Sequence, residues 1–92
     1  MVRAEWVTQS KQVIEGAGKI IGLVLTSTSA GPADVTLYNG RDDVAPVILV
    51  LRALANYSMQ VTFDGGIPVR SGIYVKLGNN VEGLLVLWEP ID

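Results

Sequence analysis

The run Gly83–Glu89, GLLVLWE, limits what this chain can fold into more than any other stretch. Leu84, Val86 and Trp88 alternate with Leu85 and Leu87, so a strand here is apolar on both faces. Such a strand must be covered twice, once by its own core and once by a neighbouring element or another chain. The preceding run, Ile73–Leu77, is one-sided: Ile73, Val75 and Leu77 face one way, Tyr74 and Lys76 the other. Gly78-Asn79-Asn80 joins the two as a turn. Ahead of them, Gly65-Gly66-Ile67-Pro68-Val69 reads as a corner, because glycine relaxes the limit on φ and proline cannot donate to a ladder. The stretch from Phe63 to Trp88 therefore predicts a closing hairpin whose last strand lies inside the molecule or under a neighbour.

The rest of the chain repeats that pattern of short β-rich runs and turn residues. Met1–Gln12 mixes polar residues with one large apolar side chain, Trp6, and reads either as an arm that orders by docking on a partner or as a first strand covering its own sheet. The domain division adopted is an arm at 1–12 and a β domain at 13–92. Val13–Glu15 is a short strand and Gly16-Ala17-Gly18 a turn. Lys19–Thr26 is a two-sided central strand, with Ile21, Leu23 and Leu25 opposed to Ile20, Gly22 and Val24. Asp34–Asn39 places Val35 and Leu37 inward and Tyr38 outward. Asn39-Gly40 then signals a tight turn, and Arg41-Asp42-Asp43 an exposed tip. Val47–Arg52 is a strand with Val47, Leu49 and Leu51 opposed to Ile48, Val50 and Arg52. Ala53–Tyr57 is a loop whose composition suits one helical turn. Ser58–Asp64 alternates again, with Met59, Val61 and Phe63 inward, and Pro90 ends the last strand. Seven or eight short strands with no convincing helix predict an all-β fold, a small antiparallel β-sandwich or jelly roll.

Composition narrows the function. A chain of 92 residues makes one domain, and at that size only about 60 to 65% of the unfolded surface is buried on folding. With 49% hydrophobic residues, some apolar surface is expected to meet another chain. Cysteine and histidine are both absent. That removes disulfides, thiolate metal sites, most zinc sites and the Ser-His and Cys-His nucleophile systems, so the expectation is a protein that is not an enzyme. A net charge of −2 without a basic cluster argues against a direct nucleic-acid partner. The longest apolar run, Val47–Leu51, is far short of the roughly 20 residues of a membrane helix, and the first residues lack the apolar centre of a signal peptide. No membrane partner and a cytoplasmic origin are expected.

Candidate chemistry is thin. Asp34, Asn39, Asp42 and Asp43 offer oxygen ligands but not the rhythm of a calcium loop, and tip carboxylates are ordinarily just solvated. Asp64 and Glu82 sit at strand ends without anything to make them a hydrolytic pair. Gly16, Gly18 and Gly22 lack the spacing and the following helix of a phosphate loop. No catalytic, cofactor-binding or metal-binding residue is assigned, and no cofactor. Tyr38 and Tyr74, both outward, suit either sugar stacking or a sheet-stabilising pair, with the pair favoured.

Several runs together resemble a family of small jelly-roll virion proteins of tailed bacteriophages. They are the two-sided strand after Gly18, the V-x-L-Y-N-G run at Val35–Gly40, the strand Val47–Leu51, the F-x-x-G-I-x-V run at Phe63–Val69, the G-I-Y-V run at Gly72–Val75, and the apolar strand Leu84–Trp88. The resemblance implies a capsid cement or decoration protein. Such a protein forms a homotrimer, sits on the capsid surface of a virion assembled in the host cytoplasm, and stabilises contacts between major capsid protein subunits. Another virion layer, neck or tail, is the alternative within the same fold, and a carbohydrate-binding β-sandwich using Tyr38 and Tyr74 the alternative outside it. The expected interface residues are Trp6, Ile48, Val50, Tyr74, Leu85 and Leu87.

Overall fold

A computed structural model describes residues 1–91; Asp92, the end of the expected β domain, lies outside the described residues. The strands are β1 (Arg3–Val7), β2 (Lys11–Ile14), β3 (Gly18–Ser27), β4 (Ala33–Tyr38), β5 (Val47–Ala53), β6 (Ser58–Val69), β7 (Ile73–Leu77) and β8 (Val81–Pro90). They form two four-stranded sheets, β1-β8-β3-β6 (sheet I) and β2-β7-β4-β5 (sheet II). Every pairing is antiparallel, and β1 with β8, β2 with β7, β3 with β6 and β4 with β5 make the chain one long hairpin rolled on itself. The added pairs β3 with β8 and β4 with β7 complete the sheets. This is the double-sheet jelly-roll order.

Period-two alternation fills the space between the sheets. Leu23 and Leu25 of β3, Val35 and Leu37 of β4, Ile73 and Val75 of β7, and Leu84 and Val86 of β8 are all buried, with Val7 and Ile14 from the first two strands. Fully burying side chains of this size stabilises by about 1.5–3 kcal/mol each. At one end Trp88 packs against this core and the Arg3 guanidinium lies over its ring, 5.4 Å from the centroid. Glu5 of β1 and Lys11 of β2 form an ion pair that ties the two sheets together along that side of the sandwich.

Several local expectations are corrected by irregularities in the ladders. Residues 1–12, read as an arm, carry β1 and the start of β2, and β1 docks on β8 of its own chain. Ile21 is left over where both of β3's ladders shift between Ile20 and Gly22. Ile20 therefore joins Leu23 and Leu25 in the core, not Gly22 and Val24 on the other face.

The expected corner at Gly65-Gly66 is instead a wide bulge within a continuous β6. Ile20 pairs with Ile67 and Gly22 with Thr62, so four residues of β6 face one of β3, and Gly65 and Gly66 absorb the bend at φ of 79° and 80°. Asn39-Gly40 does not close a two-residue hairpin: neither residue has positive φ, the Gly40 N–H bends back to the Tyr38 carbonyl at 3.1 Å in a three-residue turn, and the Asn39 N–H donates to the Pro46 carbonyl across a longer loop. Ala53 ends β5, and residues 54–57 form a turn around Asn56 at φ 57° with no helical turn.

Candidate interaction surface

The outward face of sheet I is built from two cross-strand rows. Trp6 pairs with Leu85, which pairs with Val24, which pairs with Gln60; Ala4, Leu87, Gly22 and Thr62 line up beside them. The rows are apolar across β1, β8 and β3 and turn polar at β6, where Ser58 accompanies Gln60 and Thr62. Glycine shapes this face. A Cβ on Gly83 would stand 2.0 Å from Trp6 Cζ2, so the indole packs directly against the Gly83 backbone. The indole nevertheless remains 50% exposed, while Val24, Leu85 and Leu87 are half-buried. An ion pair, Lys19 Nζ to Glu89 Oε1 at 3.0 Å, bounds the face at one end.

Sheet II presents an outward face that is polar over β4 and β7 and apolar at Val47 and Val50 of β5. Tyr38 and Tyr74 are direct cross-strand partners, their rings 6.3 Å apart and edge to face at 79°. Thr36 separates Val50 from Lys76, and Asp34 pairs with Arg52. Lys76 reaches the loop before β5 and donates to Asp43 Oδ2 at 3.3 Å. That hydrogen bond, then the Asp43 charge, raises the Lys76 pKa above the ordinary lysine value.

The six residues expected at an interface do not form one patch. Trp6, Leu85 and Leu87 come together on sheet I. Tyr74 and Val50 lie on the outward face of sheet II. Ile48 is the extra residue of a bulge, because Leu37 pairs with Leu49 and Tyr38 with Val47; it packs partly against the core and does not share a face with Val50.

Val24 was missing from the expected set, although its place in a two-sided strand was the available signal. A second apolar region was anticipated only at Val50. Val44, Val47, Val50, Leu54 and Tyr57, on and around β5, are all exposed.

The residues considered for chemistry stay apart or are otherwise engaged. Asp42 Oδ1 accepts the Val44 N–H and Asp43 holds Lys76. Asp64 lies in the β6 bulge and Glu82 near the start of β8, with β3 between their strands. Among the described residues, no three His, Cys, Asp or Glu side chains gather as metal ligands would, and no helix is long and apolar enough to cross a membrane. An open cleft of about 600 Å³ at one end of the sandwich is lined by Gln12, Glu15, Arg41, Arg70 and Ser71 among others. No protein-family model matches the chain, and neither does any curated protein or solved structure.

Proposed function

We propose that this chain is a non-enzymatic assembly protein, a jelly roll that joins copies of itself and neighbouring shell subunits in the manner of a capsid cement or decoration protein of a tailed phage. The observation that supports it is the outward face of sheet I. There Trp6, Leu85, Leu87 and Val24 leave an apolar surface facing water beside a sandwich whose core is already filled. Covering such a face releases about 25 cal/mol for each Å² of apolar area, and a modest contact gains weight when repeated across a lattice. The resemblance of the strand runs to phage virion proteins supplies the shell, the trimer and the major capsid protein as partner.

Light scattering on the purified chain tests the reading. The expected result is a trimer or a larger assembly that Leu85→Glu or Leu87→Glu reduces in mass while the far-UV spectrum of a β protein is kept. A wild-type chain that stays monomeric over a dilution series, or variants that assemble unchanged, overturns it.

A further inference from the structure

The positive side chains of this chain are all engaged except at one place. Each lysine has an acidic partner: Lys11 holds Glu5, Lys19 holds Glu89 and Lys76 holds Asp43. Arg3 lies over the Trp88 ring, and Arg52 stands opposite Asp34 in the β4–β5 ladder. Arg41 and Arg70 remain, with no ion-pair partner among the described residues, and both line the open cleft at the end of the sandwich.

That cleft lies among three connections: the turn between β2 and β3, the start of the β4–β5 loop, and the turn between β6 and β7. Backbone contacts pin its walls. Gly72, at φ 95°, brings the β6–β7 turn against the end of β2, where a Cβ would stand 2.4 Å from the Ile14 carbonyl oxygen. The Gln12 side-chain amide donates to the same carbonyl at 3.3 Å, and the Asn39 N–H ties the β4–β5 loop to Pro46. A cleft with fixed walls takes a ligand at little ordering cost.

Charge selects the ligand. Glu15 also lines the cleft and forms no ion pair with either arginine. Asp42 and Asp43, next to Arg41 in sequence, are turned to the Val44 N–H and to Lys76. Two arginines and one glutamate leave a single net positive charge, which a carboxylate neutralises and a phosphate dianion exceeds. Arg70 also borders an adjoining cleft of about 400 Å³, whose other walls are Ala17, Pro68, Val69 and Ile91. A ligand seated at Arg70 therefore meets charge on one side and apolar surface on the other.

We propose that this end of the sandwich binds an acidic segment of a partner protein, an Asp or Glu flanked by apolar residues. Its carboxylate is held by Arg41 and Arg70, whose planar guanidinium groups match a carboxylate in a two-pronged fork. The flanking apolar side chain lies against Pro68 and Ile91. Glu15 disfavours more highly charged anions. The surface is separate from the sheet I face, so the contact holds whether or not that face joins copies of this chain.

Titration with the peptide acetyl-Leu-Asp-Leu-amide, followed by amide NMR shifts of the whole chain, tests it. The expected result is saturable shifts at Gly16, Gly40 and Ser71, with acetyl-Leu-Asn-Leu-amide weaker by about tenfold or more. Arg41→Gln and Arg70→Gln should each weaken the Asp peptide by about tenfold with the melting temperature kept, and Glu15→Gln should tighten it about threefold. Overturning results are no saturable shift at these amides, equal binding of the Asp and Asn peptides, or inorganic phosphate bound more tightly than the Asp peptide, which makes the cleft a site for a free anion. Wild-type peptide binding in Leu85→Glu keeps this contact standing where the sheet I assembly fails.

Discussion

Trp6 and Gly83 sit on neighbouring strands with the indole against bare backbone, so close that a Cβ on Gly83 would stand 2.0 Å from the ring. Gly83→Ala is therefore expected to lift Trp6 off sheet I. The ring loses its platform, and the strain of overpacking is about 1–3 kcal/mol where the indole cannot move away. In a Trp88→Phe background, Trp6 is the single remaining tryptophan, and its emission should shift to the red in Gly83→Ala. An unchanged spectrum would show that the indole does not rest there.

Leu84 and Leu85 are adjacent in sequence and opposite in role. Leu84 is fully buried between the sheets, while Leu85 pairs with Trp6 on the outward face. Leu84→Ala should cost about 2–5 kcal/mol in a chemical denaturation curve, enough to unfold a domain of marginal stability. Leu85→Ala should cost clearly less in the same experiment and act chiefly on assembly.

That contrast was readable in advance, because the period of two in β8 runs undisturbed from Leu84 to Trp88. The strand runs of β4, β7 and β8 were legible for the same reason. Ile20 and Ile48 were not, since Ile20 precedes the extra residue Ile21 in the ladder with β8 and Ile48 is itself the extra residue in the ladder with β4; the place of each slip depends on the partner strand and leaves no mark on the local pattern. Asn39-Gly40 misled because a strong local turn preference yielded to a loop closed by Pro46 and held across the sheet by Lys76 and Asp43. On sheet I, Leu85 and Leu87 followed from alternation. The seat of Trp6 on Gly83 needed the β1–β8 register, which no property of residues 1–12 encodes.

Ser27 is the buried polar residue of the core, and it anchors the turn after β5. Its Oγ accepts the Tyr57 N–H at 2.9 Å and lies within donating distance of the Leu54 and Tyr57 carbonyls. Ser27→Ala leaves a Tyr57 donor without its acceptor, at a cost of about 1–3 kcal/mol. Faster amide exchange at Tyr57 should accompany the loss, and unchanged exchange would contradict the anchoring role.

Lys76 gives the chain a pH dependence of defined sign. Its pKa is raised in the folded protein, chiefly by the hydrogen bond to Asp43. The contribution is therefore complete below the ordinary lysine pKa and is lost as pH rises through the raised folded value. Because both side chains are about half exposed, salt screens the pair. Melting curves of wild type and Lys76→Met should converge at alkaline pH and at high salt, and a difference that grows under either condition would rule this pairing out.

Tyr38 and Tyr74 decide between a binding platform and a structural pair. A sugar-stacking site offers ring faces to its ligand, whereas the 79° edge-to-face arrangement turns the edge of one tyrosine to the face of the other. Edge-to-face pairs couple by about 0.5–1.5 kcal/mol beyond the area they bury. A double-mutant cycle through Tyr38→Ala, Tyr74→Ala and the double variant should return a coupling of that size, because the two rings lie on directly paired residues. Glycan binding should be absent from the wild type at the same time. Saturable glycan binding that either substitution removes, together with a coupling near zero, would transfer the function from the apolar face of sheet I to the outward face of sheet II.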